Sequence, residues 1–259
     1  MDKDIGELLS DWPFDPEANV RRIRGDDGIP KLQVRVDQGA FQGLLQLNLD
    51  GRPDGRRPHE AEFALDFYRA ALTRHRERHD GADAGFSLDR DVCRELFDES
   101  SRVYGRYVFL LQLKDYSRVI RDTERNMDLF RFVNAYAEHE EDRRNLERWW
   151  PYILRINATA RAMQAADHGD FDQALAIIDE AKSRIRDLAE VDAEEFQVER
   201  ERSEQALDEL ATELTARRPP TRVEVLRLRL QQAVEREQFE QAAIIRDQLR
   251  RLGEGGHVA

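Results

Sequence analysis

The C-terminal stretch Leu230-Gln231-Gln232-Ala233-Val234-Glu235-Arg236-Glu237-Gln238-Phe239-Glu240-Gln241-Ala242-Ala243-Ile244-Ile245-Arg246-Asp247-Gln248-Leu249 carries most of the structural information in this chain. On its near side Val223, Leu226, Leu230 and Ala233 step by 3, 4 and 3 residues, and on its far side Ala242, Ile245, Leu249 and Leu252 repeat those steps. Two seams of helical period joined by a polar turn at 236–238 predict an antiparallel helical hairpin over 222–252. Ala242 and Ala243 are small enough to let the two helices come close. Phe239 is expected to plug the open end at the turn, and Arg246 to reach Glu235 or Glu237. A unit of about 31 residues buries too little surface to stand alone. Val225, Leu228 and Ile244 fall off the inner seam and need a cover. With Phe239, Ala243, Arg246 and Asp247 they form the candidate partner-binding set. The cover is either a partner or this chain's own helices.

Leu230, Ala233, Val234, Glu237, Phe239, Glu240, Ala242, Ala243, Arg246, Asp247 and Leu249, at these spacings, resemble the UVR motif, named for two subunits of bacterial nucleotide excision repair. The resemblance covers about an eighth of the chain. It implies hairpin–hairpin association between protein subunits. The motif also occurs in an activator of a bacterial protein-arginine kinase linked to Clp proteolysis and in some Clp chaperone subunits. A looser likeness, a β-hairpin with Asp-Gly-Arg-Pro-Asp-Gly followed by helices, is to bacterial proteins that also end in a UVR motif. It implies no activity.

Outward from the hairpin, Arg217-Arg218-Pro219-Pro220-Thr221 is a stiff break. Before it, residues 189–216 hold ten acids and two arginines; from 217 to 252 there are nine arginines and five acids. The two blocks suit each other, and the basic one equally suits an acidic partner. Ser203, Leu207, Leu210 and Leu214 give the acidic segment a narrow helical seam. Further upstream the period is helical over roughly 60–79, from a cap at Ser87 through Leu111, then 115–138, 140–168 with a break at Pro151, and 171–187. Gly105, inside one of these helices, is costly unless another backbone approaches it. Leu111 to Tyr116, Ala165 to Leu175 and Ala233 to Ala243 share one plan: helix, polar turn, aromatic, helix.

Only the N-terminal region reads as β. Leu32, Val34 and Val36 alternate with polar residues, as do Leu45, Leu47 and Leu49, with Gly39 and Gly43 in the connection. Residues 1–22 read as a loose acidic arm with Trp12 and Phe14 as anchors. The fold class is therefore mainly α: helical hairpins, tetratricopeptide-like or a bundle, with a small N-terminal β-hairpin and a C-terminal UVR helical hairpin. The expected parts are an arm and β-hairpin over 1–60, a helical body over 61–188, an acidic helix over 189–216, a linker at 217–221 and the UVR hairpin over 222–252.

The chain of 259 residues has a net charge of −12 and a single cysteine, Cys93. That balance argues against coating nucleic acid along the whole surface, and one thiol excludes an internal disulfide and a thiolate zinc cage. No apolar run reaches the roughly 18 residues of a membrane span, and the acidic start is not a secretory signal. A cytoplasmic location is expected. His75 and His79 have a metal-ligand spacing, but flanking arginines read as a solvated basic face. Asp122 and Asn126, with Arg118 a turn earlier, line either a polar groove or an interhelical hydrogen-bond network. In the loop at 50–58, Arg52, Arg56 and Arg57 are candidate anion contacts, or the loop is a turn that fixes the chain's exit. No phosphate loop, nucleophile elbow or dinucleotide fingerprint is present. No catalytic residue, metal site or cofactor is expected. The leading expectation is a non-enzymatic adaptor whose hairpin docks a partner protein, either another UVR-motif protein or a second copy. The alternatives are an accessory protein of DNA repair that binds DNA or repair subunits, and a small-molecule binder or enzyme using the 50–58 loop and the groove at Asp122.

Overall fold

A computed structural model describes residues 4–254; residues 1–3 and 255–259 lie outside the described part. The chain divides into two compact units, Met1–Leu214 and Thr215–Ala259. The first unit opens with a short helix, α1 (Gly6–Asp11), and an antiparallel meander of β1 (Val20–Arg24), β2 (Pro30–Gln38) and β3 (Phe41–Asn48). The expected two-stranded hairpin thus has a third strand. Val20-Arg21-Arg22-Ile23-Arg24 pairs along the edge of β2, with Val20 opposite Val34. Its two consecutive arginines hide the period-two signal. The β2–β3 turn is Gly39-Ala40, with Gly39 at φ +61°, while Gly43 belongs to β3 opposite Val36. The ring of exposed Phe41 lies over Gly43, where a Cβ would meet it at 2.9 Å.

Helices follow: α2 (Ala64–Arg78), α3 (Arg90–Gln112), α4 (Tyr116–Tyr136), α5 (Glu140–Glu147), α6 (Trp150–Asp167), α7 (Phe171–Arg186) and α8 (Glu194–Arg217). Asp89 caps α3 by accepting from the Val92 N–H at 2.9 Å. Ser87, the expected cap, instead donates to Glu138 at 2.7 Å. Pro151 stands in the first turn of α6, where its missing N–H costs nothing. α4 packs against α3, α5 and α6, and α6 packs on α7. One core joins α2 through α8 around Leu96, Leu129, Val133, Ile153, Ile178 and Leu207. A second seats the sheet: Leu32, Val34 and Leu49 meet Val103, Leu110, Val119 and Ile156. The other sheet face is covered in part, over β2. Buried Arg35 donates to the Trp12 carbonyl at 3.3 Å, and the Arg21 guanidinium lies 4.1 Å over the Trp12 ring.

The acidic helix α8 docks through Phe196, Ser203, Leu207 and Leu214, all buried. Its acids meet bases of the body: Asp208 with Lys182, Glu204 with Arg186, and Glu195 with Arg148.

The α3/α4 and α6/α7 connections are one device used twice. Asp115 N–H bonds Leu110 O and Lys114 N–H bonds Leu111 O; Asp170 N–H bonds Ala165 O and Gly169 N–H bonds Ala166 O. These are Schellman turns, and each ends on an aspartate that caps the next helix. Lys114 and Gly169 both take the left-handed conformation, at φ 54° and 82°. Only glycine does so without strain. Gly105, by contrast, needs no freedom: nothing lies within 4 Å of a Cβ placed on it. No backbone approaches it, so the glycine is a plain cost to the helix, and Gly105→Ala should stabilise the first unit by about 0.5–1 kcal/mol, read as a higher midpoint in urea.

Candidate docking hairpin

The second unit is built by its caps and its smallest residues. Thr221 opens α9 (Arg222–Glu235) with a capping box: the Glu224 N–H donates to Thr221 Oγ1 at 3.2 Å and the Thr221 N–H to Glu224 at 2.7 Å. Those bonds, together with Arg218, hold the Glu224 carboxyl below its ordinary range. The turn 236–238 is a third Schellman turn: Gln238 N–H bonds Ala233 O at 2.8 Å and Glu237 N–H bonds Val234 O at 3.0 Å. Glu237 takes the left-handed position at φ 58°. Phe239 then begins α10 (Phe239–Glu254). The seam is Leu226, Ala233, Ala242 and Ile245, flanked by Leu230 and Leu249.

Several expected contacts are not made. Phe239 is 67% exposed and does not plug the turn, whereas its counterpart Tyr116 in the first hairpin is buried at 7%. Arg246 reaches neither Glu235 nor Glu237; it pairs with its neighbour Asp247 at 3.2 Å, and both are exposed. Leu228, Val234 and Ile244 are 57%, 51% and 60% exposed, while Val225 and Ala243 are half-buried. The uncovered residues do not form one stripe. Leu228, two residues from Leu226, points away from the seam, and Val234, next to Ala233, flanks it. The hairpin's own fold accounts for Leu226, Leu230, Ala233, Ala242, Ile245 and Leu249. It does not account for Val234, Phe239, Arg246 or Asp247. Residues 221–255 match the family model described as the UvrB/uvrC motif.

This chain carries a UVR motif.

The comparisons with curated proteins and with solved structures return no match. The other candidate residues lie in the first unit.

In that unit the loop at 50–58 is stapled inward. Arg52 is buried; it donates to Asp54 and Glu99, each at 3.0 Å. It is not an outward anion contact, because its guanidinium faces carboxylates of its own chain. Glu99 also accepts the Ala64 and Leu65 N–H groups at 2.7 and 3.1 Å, capping α2. Burial pushes the Glu99 carboxyl up, and these donors oppose the shift. Arg56 and Arg57 remain exposed. Asp50 takes Arg118 and Arg121, which hold its carboxyl well below the usual 3.8. Such a group stabilises the fold above its unfolded pKa and loses that contribution as pH falls toward its folded one. Asp50→Asn should flatten the acid limb of the stability curve below about pH 4, by no more than about 1 kcal/mol for so exposed a pair.

The groove at Asp122 is an interhelical network. Asp122 receives buried Arg106 in a two-point bond at 2.7 and 2.8 Å, Asn126 donates to Ser100 O at 3.0 Å, and Asn157 donates to Thr123 at 2.8 Å. The Asp122 carboxylate and the Asn126 Nδ2 are taken up within the chain, and Asn126 Oδ1 alone among these atoms lacks a partner. His75 and His79 stack at 4.0 Å and bond the carbonyls of Ala84 and His75. Among the described residues no group of three or more His, Cys, Asp or Glu is placed to hold a metal. Cys93 is fully buried, and burial pushes its thiol up to about 11.

Sequence reasoning missed a cluster of His59, Tyr68 and Glu95. Glu95 accepts from Tyr68 at 2.7 Å and lies 3.0 Å from His59 Nε2, and His59 stacks on Phe67 at 4.2 Å. His59 and Glu60 both take positive φ, 50° and 63°. The backbone strain left no mark in residue types.

Proposed function

We propose that the protein is a non-enzymatic adaptor of the cytoplasm: the first unit is a stable body, and the UVR hairpin docks a partner protein through the exposed side chains of its turn and flank, Val234, Phe239 and Ile244, with Leu228 contributing from a second face. The observation that carries this reading is the exposure of these large apolar side chains on a hairpin whose own core is Leu226, Ala233, Ala242 and Ile245 with Leu230 and Leu249 packed against them. The occupant that fits is a second apolar helical hairpin, from another UVR-motif protein or from a second copy of this chain. The motif's link to UvrB/uvrC supports an interaction role. No helix among the described residues is long and apolar enough to cross a membrane.

Capture from a native lysate with the full-length chain tests the reading. Proteins retained by the wild type and released by Phe239→Asp/Ile244→Asp support docking; an unchanged set contradicts it. The second reading, an accessory protein of DNA repair, is favoured by the nine arginines of residues 217–252. It requires DNA binding that weakens steeply with salt. Absence of binding at low salt removes it.

A further inference from the structure

Between α3, α4, α5, α6 and α8 the first unit has a half-open cavity of about 480 Å³, a size typical of small-molecule sites. Phe97, Tyr104, Tyr107, Phe130, Trp149 and Tyr152 line it. Tyr104 meets Tyr107 edge-on at 5.5 Å and tilts against Tyr152 at 5.8 Å. Tyr104 and Trp149, 45% and 38% exposed, stand toward solvent, while Tyr107 and Phe130 are buried.

Two polar side chains of the wall are incompletely bonded. Asn126 is 1% exposed, and its Oδ1 accepts no hydrogen bond. Glu199 is 8% exposed; Arg202 donates to its Oε1 at 2.7 Å, while its Oε2 accepts none and lies 3.6 Å from Arg155. A buried acceptor without a donor is destabilising, and a polar wall group with a free lone pair selects ligands that supply the missing N–H. Both unfilled groups are acceptors, so the matching ligand is a donor. The aromatic wall selects a flat π system.

We propose that this cavity binds a planar nitrogen heterocycle bearing N–H donors, of the chemistry of a free nucleobase or its nucleoside. The chain's net charge of −12 favours the free base over one carried on a strand.

The test is calorimetric titration of the full-length chain with adenine, adenosine, toluene and a single-stranded oligodeoxyadenylate, followed in parallel by tryptophan fluorescence. Adenine and adenosine should bind saturably and quench Trp149, and toluene should bind at least roughly tenfold more weakly. Tyr104→Ala, at an exposed position, should weaken adenine by roughly tenfold with an unchanged unfolding midpoint. Asn126→Leu should weaken adenine and spare toluene. No binding of adenine or adenosine at millimolar concentration overturns the proposal. So does toluene binding as well as adenine, adenine binding untouched by Tyr104→Ala, or binding of the oligonucleotide alone.

Discussion

Arg106→Met should lower the stability of the first unit by about 3–5 kcal/mol, read as an early shift of tryptophan fluorescence in urea. Arg106 is wholly buried, and Asp122, its two-point partner, is 1% exposed. Its Nη1 also donates to the carbonyls of Asn48 and Gly51, at 3.0 and 2.6 Å. One side chain therefore neutralises a buried carboxylate and ties the end of β3 to the helices. Removing it leaves Asp122 with Arg121, whose side chain is 41% exposed, as its remaining cationic partner. It also leaves two carbonyls short of a donor. Stranding one member of a buried pair is worse than removing both, so Arg106→Met/Asp122→Leu should recover part of the loss. A single variant within about 1 kcal/mol of wild type would show that this pair does not hold the sheet to the body.

Phe239→Asp/Ile244→Asp should abolish docking while leaving the fold intact. Both side chains are mostly exposed, 67% and 60%, so the hairpin's own seam does not feel their loss. Burying a Phe or Ile on docking contributes about 1.5–3 kcal/mol each. Losing both, with carboxylates in their place, should weaken the partner complex at least ~100-fold. Helicity and the unfolding midpoint of the first unit should stay at wild-type values. Ile245→Asp is the contrasting variant: Ile245 is 9% exposed within a four-residue core, and a charge there should melt the hairpin itself. Equal affinity for wild type and the double variant would place the partner elsewhere.

The hairpins were legible because their signals are local. The seam of Leu226, Ala233, Ala242 and Ile245, the turn at 236–238 and the break at Pro219-Pro220 all rest on residues adjacent in sequence. So did the burial of Ser203, Leu207 and Leu214 in α8. What escaped depends on distant partners. Arg52 reads as an outward loop cation until Glu99, 47 residues away, is brought beside it. Gly43 reads as a turn glycine until the pairing of β2 with β3 sets it opposite Val36. β1 escaped because an edge strand with three arginines lacks alternation. The aromatic cavity draws on five helices and leaves no spacing to find. In the docking set the residue types were legible, but the destination of Phe239 and Arg246 was not. Both were expected to satisfy the hairpin's own turn, and both are exposed instead.

Amide hydrogen exchange on the full-length chain, alone and with its captured partner, tests the central claim most directly. The account predicts new protection along α9 and α10, strongest around Leu228, Val234, Phe239 and Ile244, with the exchange of α3, α4 and α6 unchanged. Protection that appears only in the first unit, with α9 and α10 exchanging as freely as before, would contradict it.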